Sequence, residues 1–204
     1  MSNNTAKIIS GVFHPLLLPT YTLILMMRLD IYLIYSLPIR VLAVIGISIF
    51  IITVILPLIG IFILKKIKLV HSYQMPTREE RYAPMLLVAI CFYLAQYLLS
   101  SVLPNNIFNI FLLGATLAAV LSLLITLKWK ISIHMIGSGC VFGTFLGLNI
   151  ALGTYLPELI YAPLLLAGFI GSARLKLKAH TPLQVYVGFL LGSILMFSIF
   201  FILK

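Results

Sequence analysis

The sequence predicts an all-α membrane protein, a polytopic helical bundle of about six to seven spans, and three observations carry that reading. First, 62% of its 204 residues are hydrophobic and only 9% charged, with a mean hydropathy of +1.19. Second, the apolar residues fall in long runs near the roughly 20 residues that a helix needs to cross a bilayer. Third, the 14 Lys and Arg residues collect in the short breaks between those runs. This composition leaves no stretch for a soluble domain, so residues 1–204 read as a single integral membrane domain. The formal charge of +10 is not the footprint of a nucleic-acid reader, because no polar surface interleaves the basic residues with aromatics.

Seven runs can be marked off in order, approximately Ile8–Met27, Ile39–Leu64, Pro84–Leu103, Ile107–Leu127, Ile131–Leu152, Tyr155–Ile170 and Pro182–Leu203. The first is long for a signal-peptide core and leads into Arg28-Leu29-Asp30 with no small-x-small cleavage pattern, so it is expected to be retained. It contains His14, Pro15 and Pro19, and the sixth run contains Pro157 and Pro163; prolines of this kind kink or interrupt a span. Gly139, Gly143 and Gly147 in the fifth run and Gly188 and Gly192 in the seventh recur at intervals of four, one helix face each, which favours close helix contact. Cys91 and Cys140 sit deep in separate runs as small buried hydrophobes. Tyr73 and Trp129 read as interfacial anchors.

If all seven runs cross, Lys7, Lys65, Lys66, Lys68, Arg78, Arg81, Lys128, Lys130, Arg174, Lys176 and Lys178 share one face, against Arg28, Arg40 and Lys204 on the other. By the positive-inside rule the richer face is cytoplasmic. That face also gathers three polar clusters: Thr77-Arg78-Glu79-Glu80-Arg81, Lys130-Ile131-Ser132-Ile133-His134, and the stretch from Arg174 to Gln184.

The last cluster is the most informative. Thr181 is a good N-cap, Pro182 occupies the favoured first helical position and Gln184 follows three residues after the cap, so Thr-x-x-Gln reads as a capping box. A helix start beside Arg174 and His180 suits a bound anion, through its unpaired N–H groups and the positive end of its dipole. Arginines can hold a phosphoryl group, and two histidines can divide attack on phosphorus and protonation of the leaving oxygen between them. No spacing suggests a metal site, and no Gly-rich loop precedes a Lys-Ser or Lys-Thr, so neither a metal nor a nucleotide cofactor is expected.

Arg174, five intervening residues and His180 resemble the third motif of the type 2 phosphatidic acid phosphatase (PAP2) superfamily, Ser-Arg-x5-His-x3-Asp. Ser132-Ile133-His134 is similar to its second motif, Pro-Ser-Gly-His, and Arg81-Tyr82-Ala83-Pro84 to a loosened form of its first, Lys-x6-Arg-Pro. Order and spacing agree over roughly residues 78–192. The resemblance implies a metal-independent membrane phosphatase acting on a lipid phosphate or diphosphate in the bilayer. His180 would form a phosphohistidine, His134 would protonate the leaving group, and Arg81, Arg174 and Ser132 would hold phosphate oxygens. The chain departs from the pattern at Gln74 in place of Lys, with Arg78 reaching from the same loop as a substitute, at Ile131, Ile133 and Ala173, and at Gln184 in place of the Asp that orients the nucleophile.

Other readings stand beside this one. Gln184 is either only a capping partner or also the group that orients His180, and an amide can accept a ring N–H but carries no charge. His134 reads alternatively as a buried His bonded to backbone, Arg78 and Arg81 as a solvated run paired with Glu79 and Glu80, and Lys176 and Lys178 as anchors to anionic headgroups. His14 and His71 have no motif support and read as structural or solvated. At the level of function the runner-up is a non-catalytic PAP2-like protein that binds anionic headgroups or supports a membrane complex. A transporter is disfavoured, since no symmetric pair of interrupted helices is present.

Overall fold

The computed structural model describes residues 1–27, 37–72, 75, 77–104, 106–153 and 156–202. Arg28 and Lys204, counted in the charge balance, and Tyr73 and Gln74, read as an anchor and a motif position, lie outside the described residues. The described elements are helices: α1 (Asn3–Val12), α2 (Leu18–Met26), α3 (Ile39–Lys66), α4 (Glu79–Val102), α5 (Ile107–Thr126), α6 (Ile133–Leu152), α7 (Pro157–Lys176) and α8 (Pro182–Ile202). The six from α3 to α8 are long and apolar enough to cross a membrane. Their outer faces present Ile47, Leu165 and Ile194, each about two-thirds exposed, side chains suited to lipid and not to water. The chain is thus a multi-pass α-helical membrane protein.

One expected span is corrected. The run Ile8–Met27 is not a single crossing helix: it divides into α1 and α2, with a turn between them. Pro15 has no N–H to continue the ladder, and the chain turns through Nδ1- and carbonyl-mediated bonds of His14, whose O accepts from Leu17 N at 2.8 Å while its own N donates to Gly11 O at 3.3 Å. The assignment of Lys7 to the basic face, which needed that crossing, loses its basis. The sixth run does form one continuous helix, α7, despite Pro163.

The helices fall into two compact units. The first contains residues 1–18 and 124–204. Its centre is the pair α6 and α8, whose small-residue faces bring backbone onto backbone. A Cβ at Gly139 would collide with the Phe189 carbonyl, and one at Gly192 with the Ile136 carbonyl. Contacts advance together along both helices, from Ser132 with Gly188 to Gly147 with Phe200, so the two run parallel and start at the same end of the unit. Buried hydroxyls on this seam are satisfied within their own helices: Ser138 donates to His134 O, Thr144 to Cys140 O and Ser193 to Phe189 O, each at 2.8 Å. Helix α1 is capped by Ser2, whose Oγ accepts from Thr5 N at 3.1 Å. It turns Ala6 and Ser10 inward, and Ile9 and Phe13 pack on Met135, Ala167, Ile170 and Val185.

The second unit, residues 19–123, is built on α3, α4 and α5. A π-turn at Ile51–Ile55 interrupts α3 just before Pro57. Pro57 leaves the carbonyl four residues earlier without its N–H partner, and the wider turn falls at that gap. Asn106 caps α5, its Oδ1 accepting from Phe108 N at 2.9 Å and Asn109 N at 3.1 Å. Cys91 in this unit and Cys140 in the first are both buried and free.

Candidate functional site

Because α6 and α8 start side by side, the chain ends that lead into them also meet, and α7 returns its C-terminus to the same end. Helix α7 closes with Ala179 N donating to Arg174 O at 3.1 Å and Lys178 N to Leu175 O at 3.0 Å. Lys178 occupies the left-handed region, φ 50°, a place where glycine is favoured. This tight reversal sets His180 directly ahead of the Thr181 cap. The predicted capping box is present: Thr181 N donates to Gln184 Oε1 at 3.2 Å, and Gln184 N to Thr181 Oγ1 at 3.4 Å.

Gln184 has a second partner. His180 Nδ1 lies 3.1 Å from the same Gln184 Oε1. Thr181 N is an obligatory donor, so the side-chain atom it meets is the amide oxygen. An oxygen only accepts, so His180 Nδ1 must carry the proton, and in the neutral ring the lone pair lies on Nε2. The same Gln184 oxygen thus meets both the cap N–H and the His180 ring.

His134, the second residue of α6, is held from outside its own helix: its Nε2 lies 3.1 Å from Ser10 O, in α1. His14 stands against it with ring centroids 5.4 Å apart at an interplanar angle of 80°. The Arg174 guanidinium is close enough for its charge to act on both rings, and His180 on that of His134. His14 retains an exposed edge, but loss of hydration among its neighbours, and then the charge of Arg174, hold its imidazole below the ordinary value of 6.5. Ser132 is fully buried at the N-cap position of α6, yet its hydroxyl makes no capping bond and has no partner among the described residues. The Ser10 hydroxyl is likewise buried without one.

One unit thus brings together His134, Arg174, His180, Gln184 and Ser132 of the predicted set, at an end where two helix N-termini converge. His14 and Ser10 join them. Sequence reading left His14 aside for want of a motif; the available signal was a His-Pro pair inside an apolar run, costly at membrane depth unless it has partners. Arg78 and Arg81 belong to the second unit. There Arg81 Nε donates to Met75 O at 2.9 Å, and Glu80 Oε1 meets His71 Nδ1 at 2.9 Å. Glu80, one of the two acidic partners read for the arginines, thus meets His71. Among the described residues no group of His, Cys, Asp and Glu is placed to hold a metal ion.

Fold and site together define a multi-pass helical membrane protein with a histidine and arginine cluster at one end of a three-helix core. No family model, curated protein or solved structure matches the chain.

Proposed function

We propose that the chain is a PAP2-like membrane phosphatase that hydrolyses a lipid phosphate or diphosphate through a phosphohistidine, with its site on the cytoplasmic face. The observation that carries this reading is the His180 Nδ1–H to Gln184 Oε1 bond, which puts the nucleophilic lone pair of the neutral ring on Nε2, in the residue directly ahead of a helix N-terminus. The lipid phosphate binds as its monoanion and passes its proton to neutral His134; His180 Nε2 then attacks phosphorus as the lipid oxygen departs, and His134 gives that oxygen the proton. Water then attacks the phosphohistidine, neutral His134 takes the water's proton and returns it to the departing inorganic phosphate, and His180 is restored. Arg174 and Ser132 are assigned to the phosphate oxygens, and no cofactor is required. The buried Ser132 hydroxyl, already stripped of water and without a partner among the described residues, suits an incoming oxygen.

A second reading is favoured by one feature. The Gln184 amide orients His180 but adds no charge to stabilise it as it becomes cationic, which fits a protein that binds anionic headgroups without turning them over. Phosphate release in detergent from phosphatidate, phosphatidylglycerophosphate and polyprenyl mono- and diphosphates separates the two. Release that His180→Ala abolishes supports the phosphatase. No release from wild type across the panel, with turnover gained in Gln184→Asp, supports the binding protein.

A further inference from the structure

The His-Pro break in the first apolar run returns residues 10–14 to the start of α6, and what they do there follows from which atoms can donate. Ser10 O is a backbone carbonyl and can only accept, so the His134 Nε2 that lies 3.1 Å from it carries a proton. The neutral His134 ring then exposes its lone pair at Nδ1. His14 is fixed in turn: its Nδ1 accepts from Leu16 N at 3.3 Å, which places its proton on Nε2. Its ring stands edge-on against that of His134, at 80° with centroids 5.4 Å apart, a contact that favours one setting of the His134 ring. The clamp is itself anchored, since Ser10 lies on the inward face of α1 between Ile9 and Phe13, both packed on the Met135 and Val185 core.

We propose that the Ser10 carbonyl and the His14 ring are positioning groups for His134, holding it as the Nε2–H tautomer so that Nδ1 is its proton-exchanging atom. The segment lies outside residues 78–192, the part of the chain that resembles PAP2, and makes the N-terminus a component of the site. The consequence for catalysis rests on the phosphatase reading: the proton on Nδ1 of cationic His134 goes to the lipid alkoxide, and Nδ1 regains one from the water that attacks the phosphohistidine. The positioning itself does not depend on turnover.

The test is nitrogen NMR of the full chain in detergent micelles, with 15N in the histidine rings and His134→Gln used to assign the His134 signals. Wild type is expected to show a protonated Nε2 and a bare Nδ1 at His134 at neutral pH. His14→Ala removes the ring contact and is expected to give a mixture of the two tautomers. His14→Phe, which restores an edge-on ring, returns the single form. In the phosphate-release assay His14→Ala then lowers kcat about tenfold and His14→Phe recovers most of it. A protonated Nδ1 at His134 in wild type, or a tautomer unchanged in His14→Ala, overturns the proposal. The two readings also fail separately: the assigned tautomer without any phosphate release counts against the phosphatase alone, and phosphate release with a protonated Nδ1 counts against the positioning alone.

Discussion

His180 Nδ1 and Thr181 N converge on one acceptor, Gln184 Oε1, at 3.1 and 3.2 Å, so the residue that closes the last helix also sets the tautomer of the histidine in front of it. Replacing Gln184 therefore has two separable effects. Gln184→Ala is expected to lower stability by about 1 kcal/mol through the lost capping partner, and to abolish phosphate release by freeing the His180 ring. Gln184→Glu preserves both acceptor bonds and adds the missing charge. Charge-assisted hydrogen bonds are roughly twice as strong as neutral ones, so kcat should rise about tenfold with the melting midpoint unchanged or higher. A Glu variant slower than wild type would show that orientation by the amide is not what limits His180.

Ser132 separates stability from function. Its hydroxyl is buried and makes no bond within the described residues, so Ser132→Ala should leave stability unchanged or raise it by up to about 1 kcal/mol. If that hydroxyl receives a phosphate oxygen, KM rises by about tenfold in the same variant. Thermal melting and substrate titration on one preparation check both halves.

The α6 and α8 seam allows a direct comparison of glycines. Gly192→Ala drives a methyl group into the Ile136 carbonyl and should destabilise by about 1–3 kcal/mol or more, since backbone cannot rearrange as a side chain can. Gly168→Ala, within α7 and with nothing within 4 Å of its new Cβ, should instead stabilise by about 0.5–1 kcal/mol. Equal effects from the two substitutions would contradict the close packing.

Lys178 holds a left-handed conformation at the end of α7, φ 50°. An L side chain there costs about 1–2 kcal/mol, so Lys178→Gly should stabilise the fold by about 1 kcal/mol without altering phosphate release. Chemical denaturation in mixed micelles would measure it.

His14 gives stability a pH dependence. Its pKa in the fold lies below the ordinary 6.5, so above that pH both folded and unfolded states are neutral there and the group contributes no slope. As pH falls below about 6.5 and toward the lowered folded value, the unfolded chain binds a proton that the fold resists, and stability declines. The exposed edge of the ring keeps the effect modest. Melting midpoints between pH 7.5 and 5.5 should fall less in His14→Gln than in wild type.

Much of this architecture was legible because it is local. Membrane spans need only length and hydropathy, and the six crossing helices lie where the apolar runs two to seven placed them, to within a few residues. The capping box at Thr181 and Gln184 needs only neighbours three residues apart, and the glycine faces need only a spacing of four. The first run failed as a span because hydropathy averaged over 20 residues hides what one His-Pro pair does to the ladder at its centre.

What the sequence alone determined is therefore the class of molecule, the helices, and the candidates Arg174, His134, Ser132 and His180 with the cap that follows them. Only the tertiary structure decided that Gln184 serves cap and histidine together, that α6 and α8 run parallel through backbone contact, and that Ser10 and His14 hold His134. The bond from His134 to Ser10 joins residues 124 apart. Periodicity and spacing report which face a residue occupies on its own helix. They carry no record of which distant carbonyl will lie 3 Å from a ring nitrogen, because that depends on how close the helices between them can pack.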